Sequence, residues 1–157
     1  MRTSSVMTLF VLFLCLTSCT PQFPGMSRDQ KQIKIIWDEC VAALQSKDME
    51  TFSTYWYQDS TYTAVQDKKH AGPVLNLEQL KLWQPMLKGT TALRLTTKQI
   101  DIQTSREKQS ADLTATLYVL VKLPDQEISG NLFIRAYLIK TGEQWLFVHI
   151  NQSRFPA

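Results

Sequence analysis

Trp145-Leu146-Phe147-Val148-His149-Ile150-Asn151-Gln152-Ser153 is the stretch from which the rest of the chain can be read. Side chains alternate along it with a period of two, the signature of a strand. Trp145, Phe147, His149, Asn151 and Ser153 fall on one face, and Leu146, Val148 and Ile150 on the other. Working backwards, a turn around Thr141-Gly142 separates it from a second alternating run, 128–140. That run carries Phe133, Arg135 and Tyr137 on one face and Leu132, Ile134, Ala136 and Leu138 on the other. Two further runs, 93–104 and 111–123, are bounded by polar turns at 105–109 and 124–126. Four long strands joined by short turns make an antiparallel meander.

The register of the last hairpin decides what Arg135 faces. A two-residue loop at Thr141-Gly142 would require positive φ at a β-branched residue, and would set Arg135 opposite Val148. A three-residue loop, Lys140-Thr141-Gly142, puts glycine at the left-handed position without strain. It sets Tyr137 opposite Trp145, and Arg135 opposite Phe147 with His149 on the diagonal. The expectation is therefore that Arg135, Tyr137, Phe147 and His149 share one face lining a cavity. The aliphatic faces Leu132/Ile134/Ala136/Leu138 and Leu146/Val148/Ile150 would then need covering, which predicts a homodimer through the aliphatic sheet face.

Ahead of the strands the period changes to 3.6. Ser27 with Gln30 reads as a capping box, and Ile33, Ile36, Trp37, Cys40, Val41 and Leu44 recur at helical spacing over 28–46. Asp48 can cap a short second helix with Met49, Phe52, Tyr55 and Trp56. A strand is expected at 60–65, with a charged turn at Lys68-Lys69-His70 and a stop at Gly72-Pro73. Asn76 and Gln79 start a third helix through Leu80, Trp83 and Leu87. Pro85 should kink it and Gly89 close it. Helices first and meander last make the class α+β, with N-terminal helices packed on a strongly curved, mostly antiparallel sheet.

The N-terminus reads differently. Val6 to Leu16 is an apolar run too short for a stop-transfer span and suited to a signal peptide. Leu16-Thr17-Ser18-Cys19 after it resembles the lipobox of bacterial lipoproteins. That resemblance implies a signal peptide at 1–18, lipidation of Cys19, a Pro/Gly tether over 19–26 and a domain over 27–157. It also implies a lipid-anchored, bacterial envelope protein. Thr20 stands where an aspartate would signal inner-membrane retention, so the resemblance points to the outer membrane where one exists. With Cys15 leaving and Cys19 acylated, Cys40 is alone and no internal disulfide forms.

The 157 residues suffice for one domain, 44% hydrophobic and 20% charged. Losing Arg2 with the signal leaves 16 basic against 14 acidic side chains, and no basic run suits nucleic acid. His70 and His149 are the two histidines, and neither sits in a metal-ligand spacing, so no metal or other cofactor is expected.

The order of elements, ending in Trp145-x-x-x-His149-x-Asn151-x-Ser153, resembles the nuclear transport factor two-like superfamily. This includes SnoaL-like proteins, ketosteroid isomerase and kinase association domains. Trp145, His149 and Ser153 match the ending of the SnoaL-like and association-domain branches, and Asn151 replaces a second histidine. Arg135 falls where those branches place an arginine facing the pocket, and 77–87, with Trp83, matches their pre-sheet helix. The resemblance implies a cone: a bent sheet wrapped on helices around a cavity. The pocket candidates are Tyr62, Trp83, Phe133, Arg135, Tyr137, Phe147, His149 and Asn151. Aromatic side chains around one cation suit a small ligand, an anionic one included. Asp59, beside Tyr55, Tyr57 and Tyr62, is a possible base, but nothing sets the isomerase spacing. The expectation is a non-catalytic binding domain for a small ligand or a protein partner. An isomerase-like enzyme acting on a small hydrophobic substrate is the alternative.

Overall fold

The computed structural model describes residues 25–58 and 74–154. The first helix, α1, spans Arg28–Gln45 and starts on a full capping box. The Gln30 N–H donates to Ser27 Oγ at 3.3 Å and the Ser27 N–H to Gln30 Oε1 at 2.8 Å. Its apolar stripe, Ile33, Trp37, Cys40 and Ala43, is buried. The helix stops where Lys47 adopts a left-handed φ of 64°. Asp48 then caps α2, Met49–Thr54, accepting the Thr51 N–H at 2.9 Å.

The third helix is broken in two. Short helix α3 covers Leu77–Lys81 and α4 covers Gln84–Gly89, with Pro85 in the first turn of the second. Proline lacks the N–H a continuous helix would need at that point, but it fits a first turn. The strand and charged turn expected at 60–65 and 68–70 lie outside the described residues.

A two-residue strand, β1 (Val74–Leu75), precedes the long strands β2 (Ala92–Thr104), β3 (Ser110–Lys122), β4 (Glu127–Thr141) and β5 (Gln144–Arg154). The sheet order is β1-β5-β4-β3-β2, antiparallel throughout. Segment 55–57 joins the free edge of β5 as well: the Tyr57 N–H donates to the Phe147 carbonyl at 2.8 Å and the Phe147 N–H to the Tyr55 carbonyl at 2.9 Å.

Strand β3 decides which face is inside. Ala111, Leu113, Ala115 and Leu117 are all buried, while Asp112, Thr114 and Thr116 alternate with them on the other side. Register carries that inner face onto Ile100 and Ile102 of β2 and onto Leu132, Ile134, Ala136 and Leu138 of β4. Helix α1 packs chiefly on β2, where the Trp37 indole N–H donates to Thr97 Oγ1 at 3.0 Å. Bulges interrupt the ladders between Thr97 and Gln99 and opposite Tyr137/Leu138. Bulges add bend and twist, and the sheet wraps the helices accordingly.

The last hairpin departs from expectation. Thr141 pairs with Gln144, so the loop is Gly142-Glu143. Gly142 takes φ of 63° and Glu143 is not among the positive-φ residues, the pattern of a type II′ turn. Leu138 stands opposite Phe147, Val148 is the extra residue of the bulge, and Tyr137 stands opposite His149. Arg135 therefore faces Asn151 and not Phe147. The reason is local: glycine serves the first turn position as well as the last, and the bulge then resets parity within β5.

Candidate functional site

A cavity of about 810 Å³ opens between the helices and the inner face of the sheet. Small-molecule sites run roughly 300–1,000 Å³. Its walls are the second half of α1 (Trp37, Cys40, Val41, Leu44), α3 and α4 (Leu80, Trp83, Met86, Leu87), and one end of the sheet, including Leu95, Leu117, Val119 and Ile134. Trp56 and Phe147 form its floor, ring centroids 5.5 Å apart, and Phe52 packs on Trp56 at 5.5 Å.

The chemistry of this wall is uniform. Among the described residues lining it there is no Asp, Glu, Lys, Arg, His or Tyr. Cys40 is the one ionisable group, and burial pushes its thiol far above the ordinary range. Polar residues border the cavity at one end, Ser129, Asn131, Gln152 and Ser153, and of these Gln152, opposite Ile134, stands on the inner face. Trp56 Nε1 is buried with no hydrogen-bond partner among the described residues.

The opposite end of the cone is closed. There Asp29, at the start of α1, is buried and accepts from Lys140 Nζ at 2.9 Å and from Trp145 Nε1 at 3.2 Å. The bond from Lys140 is the main reason the Asp29 carboxyl titrates below the usual range; burial opposes it and the Trp145 indole adds to it. The Gln30 amide donates to the Ile102 carbonyl at 2.7 Å and fixes the same end of α1 on β2.

Of the residues singled out from sequence, Trp83 and Phe147 line the cavity. Phe133, Arg135, Tyr137, His149 and Asn151 do not, and the expected shared face with Phe147 is corrected. They pair across β4 and β5 on the outer face, as Phe133/Ser153, Arg135/Asn151 and Tyr137/His149. Tyr137 stacks on His149 with centroids 5.5 Å apart. Arg135 bridges to Asp112 of β3, Nη2 to Oδ1 at 3.1 Å and Nε to the same oxygen at 3.3 Å. A half-exposed guanidinium stays where water and a carboxylate reach it, and a desolvated one would be costly. Tyr62, Asp59 and Cys19 lie outside the described residues.

The dimer surface is corrected as well. Ile134, Ala136 and Leu138 are buried under this chain's own helices, so the aliphatic face of β4 is not available to a partner. Leu146, Val148 and Ile150 do not form one face, because the bulge at Val148 separates them. Sequence reading missed Leu95, Leu117, Val119 and Ile134 as cavity residues. The alternation of β3 was the available signal, since its aliphatic side has to be the inner one.

Among the described residues no three potential metal ligands cluster, and no helix is long and apolar enough to cross a membrane.

A family model described as the SnoaL-like domain matches residues 33–157. No curated protein matches the chain. Solved structures agree on the fold. A candidate dehydratase of the nuclear transport factor two-like family from Streptomyces avermitilis has a TM-score of 0.64 at 14% identity, covering 82% of this chain and 98% of that one. A protein with a cystatin-like fold from Caulobacter vibrioides has a TM-score of 0.63 at 14% identity, with coverage of 83% and 92%. A candidate calcium/calmodulin-dependent protein kinase II association domain from Xanthomonas campestris gives 0.63 at 14%, covering 86% and 93%. At these identities the likeness is one of fold.

Proposed function

The chain belongs to the SnoaL-like domain family, and on that premise we propose that its cone binds a small, uncharged, largely apolar molecule while the protein is held at a bacterial envelope membrane by lipid on Cys19. The observation that carries the ligand class is the cavity wall: tryptophan, phenylalanine and aliphatic side chains, with no charged side chain among the described residues. A charge inside such a wall would lose its hydration without a partner, at a cost of several kcal/mol (about 2–7 even for a neutral polar group). An anionic ligand, suggested by Arg135, loses its support because that guanidinium is on the other side of the sheet beside Asp112. Gln152 at one end suits a single neutral polar group on the ligand, such as a hydroxyl or carbonyl.

Binding without catalysis is favoured over the isomerase-like alternative. Proton transfer needs an acid or base within about 2.6–3.2 Å of the reacting atom. Among the described residues, the wall offers no group that exchanges protons near neutral pH. Self-association is proposed for the outer sheet face, where Phe133, Tyr137, Ile139 and Leu146 are half-buried side chains. The Leu16–Cys19 lipobox supports the anchor, and Thr20 supports an outer-membrane address where that membrane exists.

Native mass spectrometry of the protein, followed by solvent extraction, tests the binding reading. A retained neutral apolar adduct is the expected result. A protein that comes through empty, and binds no member of a panel of apolar alcohols, ketones and fatty-acid esters, overturns it.

A further inference from the structure

The mouth of the cavity carries exposed apolar side chains. Four large hydrophobic residues are exposed among those described, and three belong to this rim: Leu82 at 77%, Met86 at 57% and Ile128 at 45%. Met86 and Ile128 also line the cavity, and Leu82 precedes Trp83, which does. Leu82 and Trp83 form the turn between α3 and α4, and Leu82 is largely exposed there. From Leu82 to Leu87 no residue is charged, while Lys81 and Lys88 bound the segment on either side.

A soluble surface has no need of Leu82 and Met86 at the lip of an opening, and exposed apolar patches rimmed by polar groups mark an interaction site. The composition selects among partners. Leucine, methionine and a half-buried tryptophan between two lysines match a segment lying in a bilayer interface. There the indole sits at headgroup level, and the Lys88 ammonium reaches the phosphates while its stem lies along apolar surface; Lys81 is paired with Glu78 at 3.2 Å. The tether is long enough to permit it. Residues 20–27 span at most ~29 Å when extended. Helix α1, of 18 residues, is ~27 Å long and runs from the closed end to the mouth. A chain anchored at Cys19 can therefore lie with its mouth against the membrane.

We propose that the Leu82–Trp83–Met86 apex, with Ile128 across the opening, docks on a phospholipid bilayer surface, so that the cavity exchanges its ligand with the membrane without passing it through water. This rests on the ligand-binding reading for its purpose, but the docking is tested separately. Hydrogen–deuterium exchange of the full chain is compared with and without phosphatidylcholine vesicles. Exchange in Leu77–Lys81, Gln84–Gly89 and residues 127–130 is expected to slow by roughly tenfold on vesicles, with the closed-end turns at 105–109 and 142–143 unchanged. Leu82→Asp/Met86→Asp, two changes on exposed positions, should abolish the slowing while leaving the melting temperature near that of the parent. Equal slowing at both ends, none at the apex, slowing that survives the double substitution, or apex protection that appears only with added envelope proteins would each overturn the proposal. A retained apolar ligand in a chain whose apex ignores vesicles would leave the binding reading standing and remove the docking.

Discussion

Tyr137 lies against His149, ring centroids 5.5 Å apart and planes 22° from parallel, across the β4–β5 ladder on the outer face of the sheet. One residue before His149, the bulge at Val148 separates it from Phe147, which points inward onto Trp37 and Trp56. The two aromatic side chains of one short stretch thus serve opposite faces. That separation divides the candidate site residues into a cavity group and an outer group, and the variants below probe each.

Arg135→Ala should cost little, about 0–1 kcal/mol, because its partnership with Asp112 is half-exposed and screened. It should leave the retention of an apolar ligand unchanged. Chemical denaturation and native mass spectrometry read the two quantities. Loss of ligand with unchanged stability would return the arginine to the binding site.

Val119→Trp places a large side chain on the inner face where the cavity has room. In a packed core the same change would cost about 1–3 kcal/mol. Here the expected outcome is a melting temperature within a few degrees of the parent and loss of the retained ligand. Unimpaired ligand retention in a folded variant would mean that the ligand site lies elsewhere.

Asp29→Asn removes the carboxylate that holds Lys140 and Trp145 at the closed end. It should destabilise the domain by about 1–3 kcal/mol at neutral pH, the cost of leaving buried donors poorly satisfied. The folded carboxyl titrates below its ordinary value, chiefly through the Lys140 hydrogen bond. Its contribution is therefore present above the unfolded pKa of about 3.9 and lost as pH falls through the lower folded value. Urea unfolding at pH 7 and near pH 3 should show the gap between parent and variant narrowing at the acid end. A gap that does not vary with pH would assign the effect to packing alone.

Cys40 is 5% exposed, and burial holds its thiol protonated well beyond neutral pH. Since the thiolate is the reactive form, modification by an aromatic disulfide reagent should be slow in the folded protein and fast in denaturant. The rate should fall further when a ligand fills the cavity that Cys40 lines. Rapid native-state reaction at Cys40 would show that the cavity opens widely.

Cys19→Ala should abolish incorporation of a labelled fatty acid and release or misprocess the protein. Metabolic labelling followed by membrane fractionation checks it. Label persisting in the variant would end the anchor reading.

The α+β class, the helix caps and the four long strands were all legible in the sequence, because each rests on local chemistry. Ser27 with Gln30, Asp48, and Asn76 with Gln79 cap their helices as side-chain spacing requires. Pro85 breaks the third helix for want of an N–H. The alternation of Ala111 through Leu117 marks an inner face without reference to anything else in the fold. What faces the cavity was not local. The turn at Gly142-Glu143 and the extra residue Val148 together set the parity of β5 against β4, and neither leaves a trace in periodicity. A bulge adds one residue to one strand, and a shift of one residue exchanges the two faces of everything beyond it. Only the packed sheet, with Ile134, Ala136 and Leu138 of β4 buried in the core, decided that Arg135 and His149 look outward and Phe147 inward.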